Sequence, residues 1–220
     1  MAKRRDQDVL VAGLGRFGTS VAETLLSLGR DVLGVDADAE VVQEHAGRFA
    51  HVVEADTTDE EALRQLGAAE FRRAVVGIGT DVEASFLTTA ALVDLGVEEV
   101  WAKAVTTAHG RILERVGAHC VVYPERESGE RIAHRVTGRM IDYIGLDENF
   151  ALVETRAPRE LAGKSLRDSE VRRRFGITVV CIKSEGQAFT YATAETVVRP
   201  GDILVVAGER KRAEEFAERD

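Results

Sequence analysis

From Val9 to about Val136, short apolar runs rich in β-branched residues alternate with stretches whose apolar positions fall three and four apart. A strand period followed by a helix period, repeated, marks successive βαβ units and predicts a parallel sheet. Six runs qualify as strands: Val9 to Gly13, Val32 to Val35, His51 to Glu54, Ala74 to Ile78, Val100 to Val105 and Cys120 to Tyr123. Each leads into turn residues and then helical spacing, which completes one doubly wound sheet. Gly29, Gly67, Gly96 and Gly117 stand where the helices should stop. Thr58, with Glu61 three residues on, reads as a capping box opening the third helix.

Past Gly145 the pattern changes. Leu152 to Thr155, Thr178 to Lys183, Phe189 to Ala192 and Ile203 to Val206 read as strands, divided by Ser184-Glu185-Gly186 and Pro200-Gly201-Asp202. A helix or two accompany them, and Arg210 to Arg219 reads as a polar closing helix. The expected organisation is an α/β Rossmann-type domain over residues 1–140 and a small, mainly β domain over 145–220. No Pro- or Ser-rich linker lies between Thr137 and Glu148, so a helical connection is expected there.

A net charge of −9 on 220 residues excludes a general nucleic-acid binder, because such binding needs a positive surface to displace phosphate counterions. The two cysteines, Cys120 and Cys181, each fall in an apolar run and read as buried thiols. The longest uncharged stretch, Ala84 to Val93, is about half of what a bilayer crossing needs, and no secretory apolar region follows Met1-Ala2-Lys3-Arg4-Arg5. The expectation is a soluble, cytoplasmic protein that meets a membrane only through a partner.

The chemistry concentrates in Gly13-Leu14-Gly15-Arg16-Phe17-Gly18, a G-x-G-x-x-G pattern between the first strand and its helix. Gly13 permits the tight turn, Gly15 lets a pyrophosphate approach the backbone, and Gly18 allows close packing of helix on sheet. Free N–H groups of the helix terminus then face the phosphates. Asp36 ends the second strand, where a carboxylate accepts both ribose hydroxyls and repels a 2′-phosphate. The pair predicts NAD, ADP, ATP or AMP and disfavours NADP. An NAD-dependent oxidoreductase would use the same residues. The smaller domain, however, lacks H-E-x-x-H, G-x-S-x-G and C-x-x-C, and the five histidines have no metal-type spacing, so a non-enzymatic protein is expected.

Four N-terminal segments, Val11-Ala12-Gly13-Leu14-Gly15-Arg16-Phe17-Gly18, Val35-Asp36, Ala55-Asp56-Thr57-Thr58-Asp59 and Trp101-Ala102-Lys103-Ala104, together resemble the RCK (also called KTN) family. So do Leu161-Ala162-Gly163-Lys164-Ser165-Leu166, Phe175-Gly176-Ile177 and Arg199-Pro200-Gly201-Asp202-Ile203-Leu204 in the second half. The likeness is to the KtrA/TrkA-type cytosolic regulatory subunits of bacterial potassium uptake systems. It implies that Gly13, Leu14, Gly15, Arg16, Phe17, Gly18 and Asp36 hold an adenine nucleotide, ATP or ADP with NAD or NADH as alternatives. Asp56 and Thr57 would lie near the adenine, and Arg16 and Lys103 would reach the phosphates. A lysine in a strand run also suits a structural ion pair. Glu125 would help bind Mg²⁺ or Ca²⁺ beside the phosphates, although Pro124-Glu125 is equally ordinary helix-opening chemistry.

The resemblance further implies homodimers assembling into an octameric ring beneath a membrane-embedded potassium channel or transporter subunit, at the inner face of the membrane. It adds cyclic di-AMP, which several relatives bind across a dimer interface of the C-terminal domain. Ile132, Val136, Met140, Ile141, Tyr143 and Ile144 form an apolar series in and after the sixth helix. An interface between protomers and burial within one chain both account for it.

Overall fold

The computed structural model describes residues 5–136 and 140–219. The chain divides into two compact units, Met1–Glu125 and Arg126–Asp220.

The first unit is the doubly wound sheet. Its strands are β1 (Arg5–Ala12), β2 (Val32–Asp36), β3 (His51–Glu54), β4 (Phe71–Val76), β5 (Glu99–Lys103) and β6 (Cys120–Val122), in the order β3-β2-β1-β4-β5-β6. All neighbours pair in parallel. The helices α1 (Arg16–Ser27), α2 (Ala39–His45), α3 (Glu60–Gln65), α4 (Val82–Asp94) and α5 (Thr107–Arg115) fill the crossovers.

Successive side chains of a strand point to opposite faces, and β1 shows what that means when both faces are covered. Leu10 and Ala12 join a core with Leu63, Leu92 and Leu113, while Val9 and Val11 join another with Leu14, Ala22 and Phe49. Each such fully buried aliphatic contributes about 1.5–3 kcal/mol. A continuous apolar run is therefore required at the centre of the sheet.

Gly29, Gly67, Gly96 and Gly117 do sit at helix ends, with φ of 73°, 75°, 83° and 101°. The capping box is corrected. Asp59, not Thr58, caps α3 by accepting from the Glu61 N–H, and the Thr58 hydroxyl instead donates to Asp56 Oδ1 at 2.7 Å. An aspartate one residue nearer the helix reaches its amides better than the threonine.

α6 (Pro124–Val136) crosses from the first unit into the second and has no buried residue. In the second unit β7 (Met140–Gly145), β8 (Phe150–Arg156), β9 (Ile177–Lys183), β10 (Thr190–Tyr191) and β11 (Ile203–Glu209) form an antiparallel sheet in the order β10-β9-β11-β8-β7. The short helices α7 (Leu166–Ser169) and α8 (Val171–Phe175) and the terminal α9 (Arg210–Ala217) complete it. Its core gathers Val153, Ile177, Leu204 and Val206 with Phe216, on which Phe175 packs edge-on with ring centres 5.3 Å apart. Ala213, Phe216 and Ala217 are buried, so α9 is amphipathic and not simply polar.

The helical connection lies earlier than expected, in α6; of the span Thr137 to Glu148 where it was expected, residues 137–139 lie outside the described residues and Met140–Gly145 is a strand on the edge of this sheet. Its ladder with β8 shifts register between Met140 and Asp142. That irregularity leaves Met140 and Tyr143 both buried, three residues apart, a spacing that imitates a helix face. The apolar series splits accordingly: Met140 and Tyr143 enter the core, while Ile132, Val136 and Ile144 stay exposed. Cys120 and Cys181 lie in β6 and β9, half-buried where full burial was expected. Among the described residues no helix is long and apolar enough to cross a membrane.

Candidate functional site

The order of the sheet puts its switch point between β1 and β4, whose following loops leave in opposite directions and open a crevice at the strand ends. The loop after β1 is Gly13 to Gly18. Gly13 has φ +88°, and a Cβ there would stand 2.8 Å from Ile78 Cγ1. A Cβ on Gly18 would stand 1.8 Å from the Gly13 carbonyl oxygen. Nothing lies within 4 Å of the Cβ position of Gly15. Two glycines thus let strand, loop and helix touch, and the third leaves its backbone open to an incoming group.

Gly15 is also the N-cap of α1, with no side-chain cap and no acidic residue in the first turn. The next four helices are all capped by side chains, those of Asp38, Asp59, Asp81 and Thr106. Uncapped N–H groups carry the positive end of the helix dipole, so among α1 to α5 it is α1 that leaves its terminus open to an anion.

Asp36 ends β2 beside this loop. Its Oδ2 accepts from the Leu14 N–H at 2.6 Å and its Oδ1 from the Asp38 N–H at 3.0 Å. Both oxygens keep further lone pairs, and the two backbone bonds fix the orientation of the carboxylate. Phe17 stands half-buried in the first turn of α1, and the Lys103 ammonium lies 5.8 Å from its ring centre.

Lys103 is the last residue of β5, where a charge can leave the sheet. Its Nζ bonds Glu125 Oε1 at 2.6 Å, and a Cβ on Gly79 would come within 3.1 Å of that nitrogen. The lysine side chain is 13% exposed and the glutamate 63%, so the cation is sheltered and its partner faces water. Hydrogen bonding from Lys103 holds the Glu125 carboxyl below the usual range, and the exposed Arg16 adds to this at a distance. The ion-pair alternative for Lys103 is thus present. Among the described residues no group of three or more His, Cys, Asp or Glu side chains converges as a metal site. A cation at Glu125 would therefore need oxygen donors from a ligand, and release from Lys103.

Asp56 and Thr57 follow β3. Asp56 is exposed, its carboxyl pulled down by the hydroxyl and N–H of Thr58. The Thr57 hydroxyl is buried against Thr88 of α4 at 2.8 Å, turned away from solvent.

Gly77 and Gly79 border the loop and Lys103 but stand outside the G-x-G-x-x-G pattern. A Cβ on Gly77 would meet Gly13 O at 2.8 Å and Gly18 Cα at 3.2 Å. A glycine pair directly after a strand, Gly77-Ile78-Gly79, was the available signal.

In the second unit, a cleft of about 390 Å³ is lined by Leu166, Val171, Ile177 and Val179, with Arg167 and Arg172 among its lining residues. Arg172 donates to Thr178 Oγ1 at 2.9 Å and Arg167 pairs with Glu195.

A TrkA-N domain matches residues 9–124 and a TrkA-C domain residues 150–219. The chain belongs to the TrkA-N/TrkA-C, or RCK, family. The RCK chain is 39% identical over 203 residues to the Ktr system potassium uptake protein C of Bacillus subtilis (strain 168), covering 92% of each. It is 35% identical over 217 residues to the Ktr system potassium uptake protein A of the same organism, covering 98% of each. Among solved structures, the GsuK channel shares the fold with a TM-score of 0.72 at 21% identity. That match covers 98% of the RCK chain, which spans 40% of the GsuK chain.

Proposed function

We propose that this chain is a nucleotide-gated regulatory subunit of a bacterial potassium uptake system and not an enzyme. The observation that carries this is the uncapped α1 terminus set between the fixed Asp36 carboxylate and the sheltered Lys103, in a chain so similar to Ktr potassium uptake proteins. A diphosphate lies against the N–H groups opening α1, over Gly13, Gly15 and Gly18, with Leu14 and Phe17 in the same loop. Asp36 takes both ribose hydroxyls. Asp56 flanks the adenine on a turn that Thr57 ties to α4.

Arg16 and Lys103 supply charge for a terminal phosphate. Lys103 turning to that phosphate frees Glu125, which with phosphate oxygens offers the hard donors that suit Mg²⁺ or Ca²⁺. ATP and ADP then favour different shapes of an octameric ring of homodimers, each biasing the ring only by its difference in affinity for the two shapes. The ring passes this to a membrane-embedded channel or transporter subunit at the inner face of the membrane. Cyclic di-AMP is a further ligand of the second unit, across an interface between two copies, with no residues of this chain assigned to it.

Calorimetric titration of the full chain with ATP, ADP, NAD, NADH and cyclic di-AMP, with and without Mg²⁺, tests the reading. Binding of ATP and ADP is expected, and no affinity for any adenosine phosphate overturns it. Preference for NADH over all others, with hydride transfer to a carbonyl, would favour the oxidoreductase instead. Arg16→Ala should shrink the preference for ATP over ADP, and unchanged selectivity would remove Arg16 from this role.

A further inference from the structure

Leu14, between the first two glycines of the loop, is gripped at both ends of its backbone. Its N–H donates to Asp36, and its carbonyl accepts from the Thr19 hydroxyl at 2.6 Å. Its side chain is buried, with Cδ1 only 3.0 Å from where a Cβ on Gly34 would stand. The second grip continues. Thr19 Oγ1 lies 3.1 Å from Nε2 of His45, the last residue of α2.

A threonine hydroxyl has one proton to give. The bond to Leu14 uses it, so the contact with His45 must run the other way, with Nε2–H donating to Thr19. This assigns the ring its Nε2–H tautomer. Nδ1 is buried without a hydrogen-bond partner, as suits a bare lone pair better than an orphaned N–H. The imidazole is itself clamped on Phe49, with ring centres 5.0 Å apart and planes 11° from parallel.

The peptide joining Leu14 to Gly15 is planar and trans, so the Leu14 carbonyl and the Gly15 N–H point in opposite directions. Holding one aims the other. We infer that Thr19, its hydroxyl turned by His45, is a positioning residue that aims the Gly15 N–H at a bound phosphate. Asp36 and His45 bracket α2, so the β2–α2 segment that presents the ribose carboxylate also sets the phosphate donor. Without the Thr19 bond the carbonyl and N–H can exchange places, which puts a partial negative charge where the phosphate belongs. The inference rests on the nucleotide reading above.

The test titrates ADP into the full-length wild type, Thr19→Val, Thr19→Ser, His45→Phe and His45→Gln, well below each variant's melting temperature. Loss of one hydrogen bond of about 1 kcal/mol corresponds to roughly five- to tenfold weaker binding, expected for Thr19→Val. Thr19→Ser should restore the affinity, and His45→Gln, which keeps a donor, should bind more tightly than His45→Phe, which keeps only the stack. Nitrogen NMR of the imidazole should find the proton on Nε2. ADP affinity in Thr19→Val equal to wild type overturns the inference whatever the melting temperature does, as does a proton on Nδ1. If Thr19→Val does not fold, equal affinities in the two His45 variants overturn it. A wild type that binds neither ADP nor ATP brings down the nucleotide reading itself, which the wild-type titration shows before any variant is compared.

Discussion

The glycines of the candidate site and the loop glycines of the second unit serve different physical ends. In the first, Gly13, Gly18 and Gly77 meet one another: a side chain at Gly18 or Gly77 would strike the Gly13 carbonyl, at 1.8 Å and 2.8 Å. In the second, Gly163, Gly186 and Gly201 have φ of +77°, +72° and +84° with nothing within 4 Å of a Cβ. These three serve for the sign of a torsion, as Gly29 and Gly96 do at helix ends of the first unit. At the candidate site glycine serves to remove matter, so that two loops and a helix can converge on one point beside an open Gly15. Crowding around a vacancy, and not glycine content, marks the candidate site.

Substitution by alanine is the sharpest way to break that contrast. Gly18→Ala forces the helix from the loop and should cost on the order of 3 kcal/mol, read as a lowered denaturation midpoint with loss of ADP binding. Asp36→Asn should leave the fold intact. It removes hydrogen bonds to a charged group worth about 1.5–3 kcal/mol, so ADP should bind roughly 10- to 100-fold more weakly by calorimetry. Gly186→Ala meets only a left-handed backbone and should cost about 1 kcal/mol without altering ADP affinity. Equal losses in Gly18→Ala and Gly186→Ala would erase the distinction.

The smallest expected effect is one of pH. His109 of α5 is buried, its Nδ1 accepting weakly from the Val105 N–H at 3.4 Å and its Nε2 unpartnered. Burial pushes its pKa below the ordinary histidine value. The unfolded chain therefore takes up this proton first as pH falls. Stability contributed by the neutral ring is complete above the unfolded-state pKa, near 6.5, and declines as pH drops from there toward the lower folded value. His109→Gln should flatten that part of the stability–pH curve, measured by thermal melting.

Much of the first unit could be read from the chain because a parallel sheet buried on both faces admits few sequences. Six apolar runs, a glycine loop and an aspartate ending the next strand leave little choice of topology. Ends were harder: β1 begins at Arg5, four residues before its first apolar residue, Val9, and β5 stops at Lys103. The strand at Met140–Gly145 was illegible for a definite reason. Its register shift spaces buried residues as a helix does, and periodicity carries no other information. At the candidate site, a residue proposed by its type and position, such as Asp36 ending the strand after the glycine loop, could be picked out in advance. The Lys103–Glu125 contact joins residues 22 positions apart, and the turned hydroxyl of Thr57 depends on a helix that begins at Val82. Pairings of that kind exist only once the chain has folded.

The margins of the second sheet have a consequence for anything that meets this half of the protein. One margin, β10, offers two paired residues, and the other, β7, carries a broken ladder. Unsatisfied strand margins invite foreign chains to zip on through their main-chain groups, and neither of these is long or regular enough to template such growth. The second sheet therefore offers a neighbouring copy little main-chain template from which to extend a continuous ribbon.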